Sequence, residues 1–284
     1  MFKDILVHLD EGPRRETRLR VAVDLARRHK AHLTALFVVD VPGSDLFYGT
    51  GMPFAGSGFD QVVANMRTDR ARRAEAIGEE FCNTLRKEGL EGAWRVIEGN
   101  TADILVQNAR YSDLIVLGQP DESVPFPGPS ADSVLVNVLM ASGRPLLAIP
   151  YAGSYSHVGS HVLVAWNGTR ESARAVNDAV PLLRGAKKVT VLSVNPPRST
   201  DGLGPIPCSD IALHLARHGI TAEAAHTVAL DISEGDALLS YAADLGVDLI
   251  VAGGYGHSRA REMMFGGVTR TLLREMTVPM FMSH

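Results

Sequence analysis

The strongest constraint on the fold is an internal repeat, because both halves of the chain carry the same succession of apolar segments. Four segments recur in the same order: ILVHLDEG at 5–12 and VLVAWNGT at 162–169, LTALFVVDVP at 33–42 and VTVLSVNPP at 189–197, DLIVLG at 113–118 and DLIVAG at 248–253, RPLLAIP at 144–150 and VPMFMSH at 278–284. A solenoid would need several short repeats, whereas two long copies predict two domains. We place these domains at residues 1–152 and 158–284, joined by the Gly- and Ser-containing stretch 151–160.

Within each copy, short apolar runs alternate with segments of helical periodicity. The longest helical pattern, residues 66–88, ends before Gly89 and has apolar residues on one face. These apolar residues are Ala74, Ile77, Phe81 and Leu85. Strands that alternate with helices predict an α/β fold with a parallel sheet and right-handed crossovers. The runs LIVLG and LIVAG are apolar on both faces, as the central strands of such a sheet require.

Composition narrows the class of protein. Apolar residues make up 45% and charged residues 21% of the 284 residues, which is typical of a soluble globular protein. The net charge of −4 gives no basic field that would attract nucleic acid. Two cysteines favour a reducing cytoplasm over a disulfide scaffold. No run of 18 apolar residues occurs, so we expect no membrane span, and the initial MFKDILVHLD is predicted to be a strand rather than a secretory leader.

A glycine-rich segment, GGYGHSRAREMMFGGVTRTLL at 253–273, follows one of the apolar strands. In an open doubly wound sheet, ligands bind beyond the carboxyl ends of the strands, where the strand order reverses. Glycines allow the backbone to approach a ligand closely, and a helix that opens after Gly267 would direct free N–H groups at an anion. The segment therefore indicates a phosphate cradle. The alternative is a pair of turns without a ligand.

The spacing G-x2-G-x9-G formed by Gly253, Gly256 and Gly266 resembles the nucleotide loop of the universal stress protein family. The whole chain is similar to the tandem, two-domain form of that family. A short acidic or amide turn after strand one and the LSV that ends strand two also match. This resemblance implies an α/β fold with two tandem doubly wound domains, each a five-stranded parallel sheet of order 3-2-1-4-5, of the adenine-nucleotide alpha-hydrolase-like type.

The resemblance also implies a site in the second copy. The family aspartate near adenosine corresponds to Asn167, the valine whose backbone contacts adenine corresponds to Val194, and the phosphates would lie on the loop glycines. The predicted binding residues are Trp166, Asn167, Val194, Gly253, Gly256, His257, Gly266, Gly267, Val268 and Thr269. Gly267 replaces the usual serine, and Asn167 replaces the aspartate, so one hydroxyl and one charge are lost. The expected ligand is ATP, AMP or ADP, with magnesium as an optional companion ion.

The first copy departs further from the family pattern. Asp10 and Val38 match the adenosine side, but after Gly118 the loop reads QPDESVPFPGPSADS. Asp121 stands in place of the second glycine, and Asp121 and Glu122 would repel phosphate. Three prolines also remove N–H donors: Pro125, Pro127 and Pro129. We interpret this copy as a degenerate site with a structural or dimerisation role.

Other candidate residues have two interpretations each. His214 and His218, spaced i and i+4, are compatible with zinc, but without an evident third ligand they are more typical of a solvated helix face. His257, Arg259 and Arg261 would contact phosphate or lie exposed in the loop. The sequence lacks a G-x4-G-K-[ST] loop, a G-x-G-x-x-G turn after strand one, and the HIGH-type and SGG-type motifs of related adenine-binding enzymes.

The leading functional hypothesis is a cytoplasmic stress protein that senses or stores an adenine nucleotide in its second copy. The alternatives are an enzyme that slowly hydrolyses ATP or phosphorylates itself, and an interaction protein in which neither site binds a nucleotide.

In this family the final strands commonly pair domains, so PLLAIP and VPMFMSH are expected to cover each other within one chain. The insertion 43–61 is interpreted as a surface loop or as a lid. With Phe47, Tyr48, Met52 and Phe54 it would also supply the surface of a homodimer.

Overall fold

A computed structural model describes residues 1–40, 57–120, 131–155, 157–196, 208–256 and 267–284. These residues form ten strands and eight helices, numbered here in chain order. The first copy contains β1 (Asp4–His8), α1 (Arg15–His29), β2 (His32–Val39), α2 (Ser57–Glu88), β3 (Gly92–Glu98), α3 (Thr101–Ala109), β4 (Leu114–Gly118), α4 (Ala131–Ala141) and β5 (Leu146–Ile149). The second contains β6 (His161–Ala165), α5 (Arg170–Leu183), β7 (Lys188–Val194), α6 (Ser209–Arg217), β8 (Ala222–Thr227), α7 (Glu234–Asp244), β9 (Leu249–Gly253), α8 (Val268–Glu275) and β10 (Met280–Ser283).

The chain divides into two compact units. The N-terminal unit consists of residues 2–116 and 120–142, and the C-terminal unit consists of residues 143–284 together with residue 1 and residues 117–119. The strand β5 therefore belongs to the C-terminal unit, although it ends the first copy of the sequence repeat. The domain limits 1–152 and 158–284 follow the repeat rather than this division, and they stay a prediction.

The N-terminal unit is built on a parallel sheet in the order β3-β2-β1-β4. The strand β1 pairs with β2 on one side and with β4 on the other, so the strand order reverses between β1 and β4. The predicted helix face is confirmed in α2, where the four apolar residues named above are at most 5% exposed. Gly89 then ends the helix with a positive φ of 65°, a conformation that glycine adopts without strain.

The C-terminal unit has the strand order β5-β10-β9-β6-β7-β8. The five strands of the second copy pair in parallel, and β6 lies between β7 and β9. The pairing of the two final strands is confirmed, because β5 runs antiparallel to β10 with Leu147 opposite Phe281. The strand order confirms the predicted 3-2-1-4-5 arrangement in both copies.

The strands β4 and β9 have buried residues on both faces, as their apolar runs predicted, and so do the final strands β5 and β10. All four residues of β5 and all four of β10 are buried, and so are the first four of β4 and of β9. None of the helices in the described ranges combines the length and the apolar character that a membrane crossing would need.

The helix α2 begins earlier than the sequence pattern indicates. It starts at Ser57 instead of residue 66, so residues 57–61, predicted as the end of an inserted loop or lid, are helical. In the early turns of α2, residue 61 and residues 64–69 are exposed, and an apolar period therefore could not reveal them. The remainder of the insertion with Phe47, Tyr48, Met52 and Phe54 lies outside the described residues, so the homodimer surface stays a prediction.

A buried histidine lies at the end of α1. His29 is 6% exposed, and its ring packs against Phe2 with a centroid separation of 4.9 Å. Burial and the nearby Arg28 charge lower the pKa of His29 from 6.5 to about 4, although Asp24 opposes this shift. Between these two pH values His29 is consequently protonated in the unfolded chain but neutral in the folded chain.

We expect the stability of the N-terminal unit to fall as the pH decreases from 6.5 to 4, because His29 is protonated first in the unfolded state. The contribution of His29 is at most about 3 kcal/mol. The variant His29→Leu should flatten this part of the pH profile when the free energy of unfolding is measured by urea titration. The control His226→Gln alters an exposed histidine. An unchanged slope in His29→Leu would contradict the assignment.

Candidate functional site

The predicted crevice lies at the carboxyl ends of β6 and β9 in the C-terminal unit. These strands are adjacent, with Val164 paired to Val251, so Trp166 follows β6 at the level of Gly253. The other neighbour of β6 is β7, and the backbone N–H of Trp166 donates to Leu192 O at 2.9 Å. The order reversal that doubly wound sheets use for binding is therefore present where the glycine-rich segment begins.

Asn167 forms the turn between β6 and α5. Its Oδ1 accepts hydrogen bonds from the Thr169 N–H at 3.3 Å and from the Thr169 hydroxyl at 2.9 Å. Gly168 has a φ of 72°, and Thr169 caps α5 by accepting from the Ser172 N–H at 3.3 Å. The amide thus performs the turn-forming role of an aspartate oxygen, while the Asn167 side chain stays exposed at the strand end.

Gly253 is required by the packing of β9 against the first turn of α5. A Cβ atom at this position would lie 2.5 Å from both Glu171 C and Ser172 N, which backbone atoms cannot relieve cheaply. A Cβ atom on Gly256 would lie 2.9 Å from Glu171 Oε2 and 3.5 Å from Thr169 Oγ1. The structure therefore brings the two predicted glycines together on the first turn of α5.

Thr269 links this loop to the start of α8. Its side chain is buried, and its Oγ1 accepts a hydrogen bond from the Tyr255 N–H at 3.1 Å. Gly267 is the residue before the helix, with φ −58° and ψ 160°, and no side chain caps the helix there. Val268 is 38% exposed at the first helical position. The N-terminus of α8 is thus held beside the end of β9, as the sequence predicted.

Val194 ends β7, and the residue after it is one that sequence reasoning missed. Asn195 has a positive φ of 51°, donates its backbone N–H to Thr227 O, and accepts the Ala229 N–H on its Oδ1 at 2.8 Å. It therefore fixes the turns that follow both β7 and β8. The Asn-Pro-Pro sequence was the available signal, because asparagine tolerates the left-handed conformation better than most residues.

Glu171 is a second missed residue. Its side chain is 2% exposed although it carries a charge, and it accepts a hydrogen bond from the Nε of Arg170, which is 83% exposed. Burial alone would raise the pKa of Glu171, but the hydrogen bond and the charge of Arg170 hold it below the usual value. A buried carboxylate therefore lies in the candidate site.

The first copy has a different charge arrangement at the equivalent turn. Asp10 Oδ1 accepts the Gly12 N–H at 2.8 Å and an N–H of Arg18, whose side chain is 7% exposed. Burial acts to raise the pKa of Asp10, but the Arg18 charge, with His8 and Gly12, lowers it to about 2. The carboxylate that matches the adenosine side of the family is thus already paired with a cation from α1.

The carboxyl end of β2 in the first copy is also engaged by neighbouring side chains. Asp40, which follows β2, accepts the Thr101 N–H at 3.0 Å and the Thr101 hydroxyl at 2.7 Å, and Arg70 donates to the Asp40 carbonyl. Val38 is buried. The loop with Asp121, Glu122 and the three prolines lies outside the described residues, so the degenerate phosphate side of this copy stays a prediction.

Several predicted residues are not placed near the site or are not described. His257 and Gly266, and the alternative phosphate contacts Arg259 and Arg261, lie outside the described ranges. The rings of His214 and His218 on α6 lie 4.8 Å apart. Within the described ranges, these two histidines belong to no group of three or more side chains suited to holding a metal ion.

Gln119 is a third residue that sequence reasoning missed, and it stabilises a helix of the candidate site. Gln119, only 7% exposed, follows β4 and donates its Nε2 to Leu273 O at 3.0 Å and to Arg274 O at 2.7 Å. Its Oε1 accepts the Tyr151 N–H at 3.0 Å. The carboxamide therefore caps the C-terminus of α8, the helix whose N-terminus faces the candidate site.

The variant Gln119→Glu should destabilise the C-terminal unit by about 2–3 kcal/mol, since a carboxylate cannot donate to the two helix carbonyls and would be buried beside them. Urea unfolding followed by the fluorescence of Trp166 measures this effect. The control Gln107→Glu makes the same chemical change on an exposed position of α3. Equal stability of the two variants would show that the cap is not needed.

Comparison with known proteins supports the resemblance drawn from the sequence. A universal stress protein of Synechocystis sp. is 21% identical over 300 residues, and the alignment covers 98% of each chain. A universal stress protein structure from Archaeoglobus fulgidus has a TM-score of 0.74 at 15% identity, covering 99% of this chain and 95% of that one. A putative universal stress protein from Pseudomonas aeruginosa has a TM-score of 0.57 at 14% identity, with coverage of 99% and 93%. The model of the universal stress protein family matches residues 1–124 and 160–284, and this chain therefore belongs to that family.

Proposed function

We propose that the C-terminal copy binds an adenine nucleotide, and that this stress-response protein uses the bound nucleotide as a sensor or regulatory ligand. The observation that carries the proposal is the junction of three elements at the order reversal. The end of β9, the first turn of α5 and the start of α8 meet there through Gly253, Gly256 and Thr269.

This junction has the features that a phosphorylated ligand needs. Gly256 carries no side chain of its own, although Glu171 Oε2 lies near it, and among the described residues no side chain caps the N–H groups at the N-terminus of α8. Asn167 and Val194 end the two neighbouring strands on the side where the family resemblance implies the nucleoside. The ligand would be ATP, ADP or AMP, with magnesium as a companion of the longer phosphate chains.

The two copies are not expected to bind equally. In the N-terminal unit, Asp10 is held by buried Arg18, and Asp40 is held by Thr101. In the C-terminal unit, the Asn167 side chain is exposed. We therefore assign the nucleotide to the second copy. We also retain a cytoplasmic location and a homodimer as proposals that the described residues do not address.

The variant Gly256→Glu should strongly weaken nucleotide binding, because a second carboxylate would stand where the backbone meets phosphate. A like-charge contact of this kind weakens binding by roughly a hundredfold, the equivalent of about 3 kcal/mol. Isothermal titration calorimetry of the full chain with ATP measures the loss. The control Gly185→Glu adds the same charge after α5, where a Cβ atom meets only Leu182 O at 3.5 Å. Unchanged ATP affinity in folded Gly256→Glu would refute the phosphate role of this glycine.

The variant Gly267→Ser should tighten ATP binding more than adenosine binding, because it restores a hydroxyl at the start of α8. One hydrogen bond to a charged phosphate is worth about 1.5 kcal/mol, or close to tenfold in affinity. The backbone at φ −58° accepts any residue, so the change introduces no strain. The matched control Gly267→Ala adds the Cβ atom without the hydroxyl. Equal gains for both ligands would place the hydroxyl away from phosphate.

A further inference from the structure

In both copies the first helix begins with the dipeptide Arg-Glu, but the glutamate side chain is exposed in the first copy and buried in the second. The helix α1 begins with Arg15-Glu16, and α5 begins with Arg170-Glu171. The Glu16 side chain is 74% exposed and forms an ion pair with Arg20 one turn along the helix. The Glu171 side chain is 2% exposed and is directed towards the end of β9. The local sequence therefore does not explain why Glu171 is buried, and its position in the site needs an account.

Glu171 occupies a position that suits an external anion. Its carboxylate accepts a hydrogen bond from the Arg170 guanidinium and lies at the first turn of α5, close to Gly256. Guanidinium groups and helix N-termini commonly bind phosphate oxygens. Within the folded chain, an internal carboxylate thus lies where a phosphate would also be favourable.

The carboxylate also covers the backbone on which ligand phosphate is expected to lie. A Cβ atom on Gly256 would be 2.9 Å from Glu171 Oε2, so the acidic oxygen lies directly over the residue that lacks a side chain. A phosphate that approaches Gly256 must either displace this oxygen or stand beside it. The two anions would repel each other with little water between them to screen the charges, and Arg170 is the cation that opposes this repulsion.

We propose that Glu171 sets the charge selectivity of this site, so that the site favours adenine ligands with little unshielded negative charge at the Gly256 end. The proposal rests on nucleotide binding by the second copy and specifies which ligands it admits. Without a divalent cation, adenosine binds better than AMP, and AMP binds better than ATP. Glu171 acts by electrostatic repulsion and by filling the anion position, not by chemistry on the ligand.

The test compares the full chain with its Glu171→Gln variant by calorimetry, using adenosine, AMP, ATP and inorganic tripolyphosphate in the presence of EDTA. Glutamine keeps the size of the side chain and removes the charge. The variant should bind ATP at least about tenfold more tightly, bind AMP with a smaller gain, and leave adenosine affinity within about twofold. The control Glu16→Gln removes the corresponding charge in the first copy and should change none of these affinities.

A second variant guards against loss of folding, which thermal unfolding of each protein will detect. Glu171→Asp keeps the charge but shortens the side chain, so the carboxylate retracts from Gly256 and ATP should gain affinity in the same direction by a smaller factor. Equal changes for ATP and adenosine, or no change for ATP in either variant, would overturn the proposal.

Tripolyphosphate separates this proposal from the proposed function. Suppose that adenosine, AMP and ATP all fail to bind but Glu171→Gln gains tripolyphosphate binding. The charge selectivity set by Glu171 is then supported, and the proposal that the site binds an adenine nucleotide is wrong. If adenosine binds to both proteins and Glu171→Gln gains neither ATP nor tripolyphosphate affinity, the nucleoside site stands and the role of Glu171 is wrong.

Discussion

The parallel pairing of β6 with both β7 and β9 is the constraint on which the candidate site depends. The chain leaves β6 towards β7 and leaves β9 towards β10, so the two connections diverge to opposite sides of the reversal between β6 and β9. The end of β9 and the first turn of α5 then approach so closely that only glycine fits at position 253. This contact positions Thr169, Glu171 and Gly256, and Thr269 adds α8 through Tyr255.

The fold could be predicted from the sequence because it rests on patterns that local physics decides. Buried parallel strands require apolar runs, and the four strands with all or nearly all residues buried are runs that recur between the copies. The buried face of α2 follows from a helical period, and its end follows from Gly89. The start of α2 had no such signal, so its boundary was wrong by nine residues, from 66 to 57.

The site could be predicted only in outline, since its details depend on contacts between distant segments. Gly253 and Gly256 were found by their spacing, but the reason for Gly253 is its contact with Glu171, a residue far away in sequence. An acidic residue in the first turn of a helix is favourable next to solvent, so no local pattern predicts that Glu171 is buried. Gln119 is separated by 154 residues from the carbonyl that it binds, and no local pattern connects them.

The replacement of aspartate by Asn167 coincides with a change in the helix that follows. In the first copy, Asp10 pairs with Arg18, the fourth residue of α1. The fourth residue of α5 is Ala173, so the second copy has no arginine at the helix position from which Arg18 pairs with Asp10. Each copy nevertheless keeps one carboxylate near this turn with an arginine beside it. The first copy places this carboxylate on the strand turn, whereas the second places it on the helix, over Gly256. The difference follows from the two helices, because α1 offers Arg18 to the turn, whereas α5 buries its second residue, Glu171, against the end of β9.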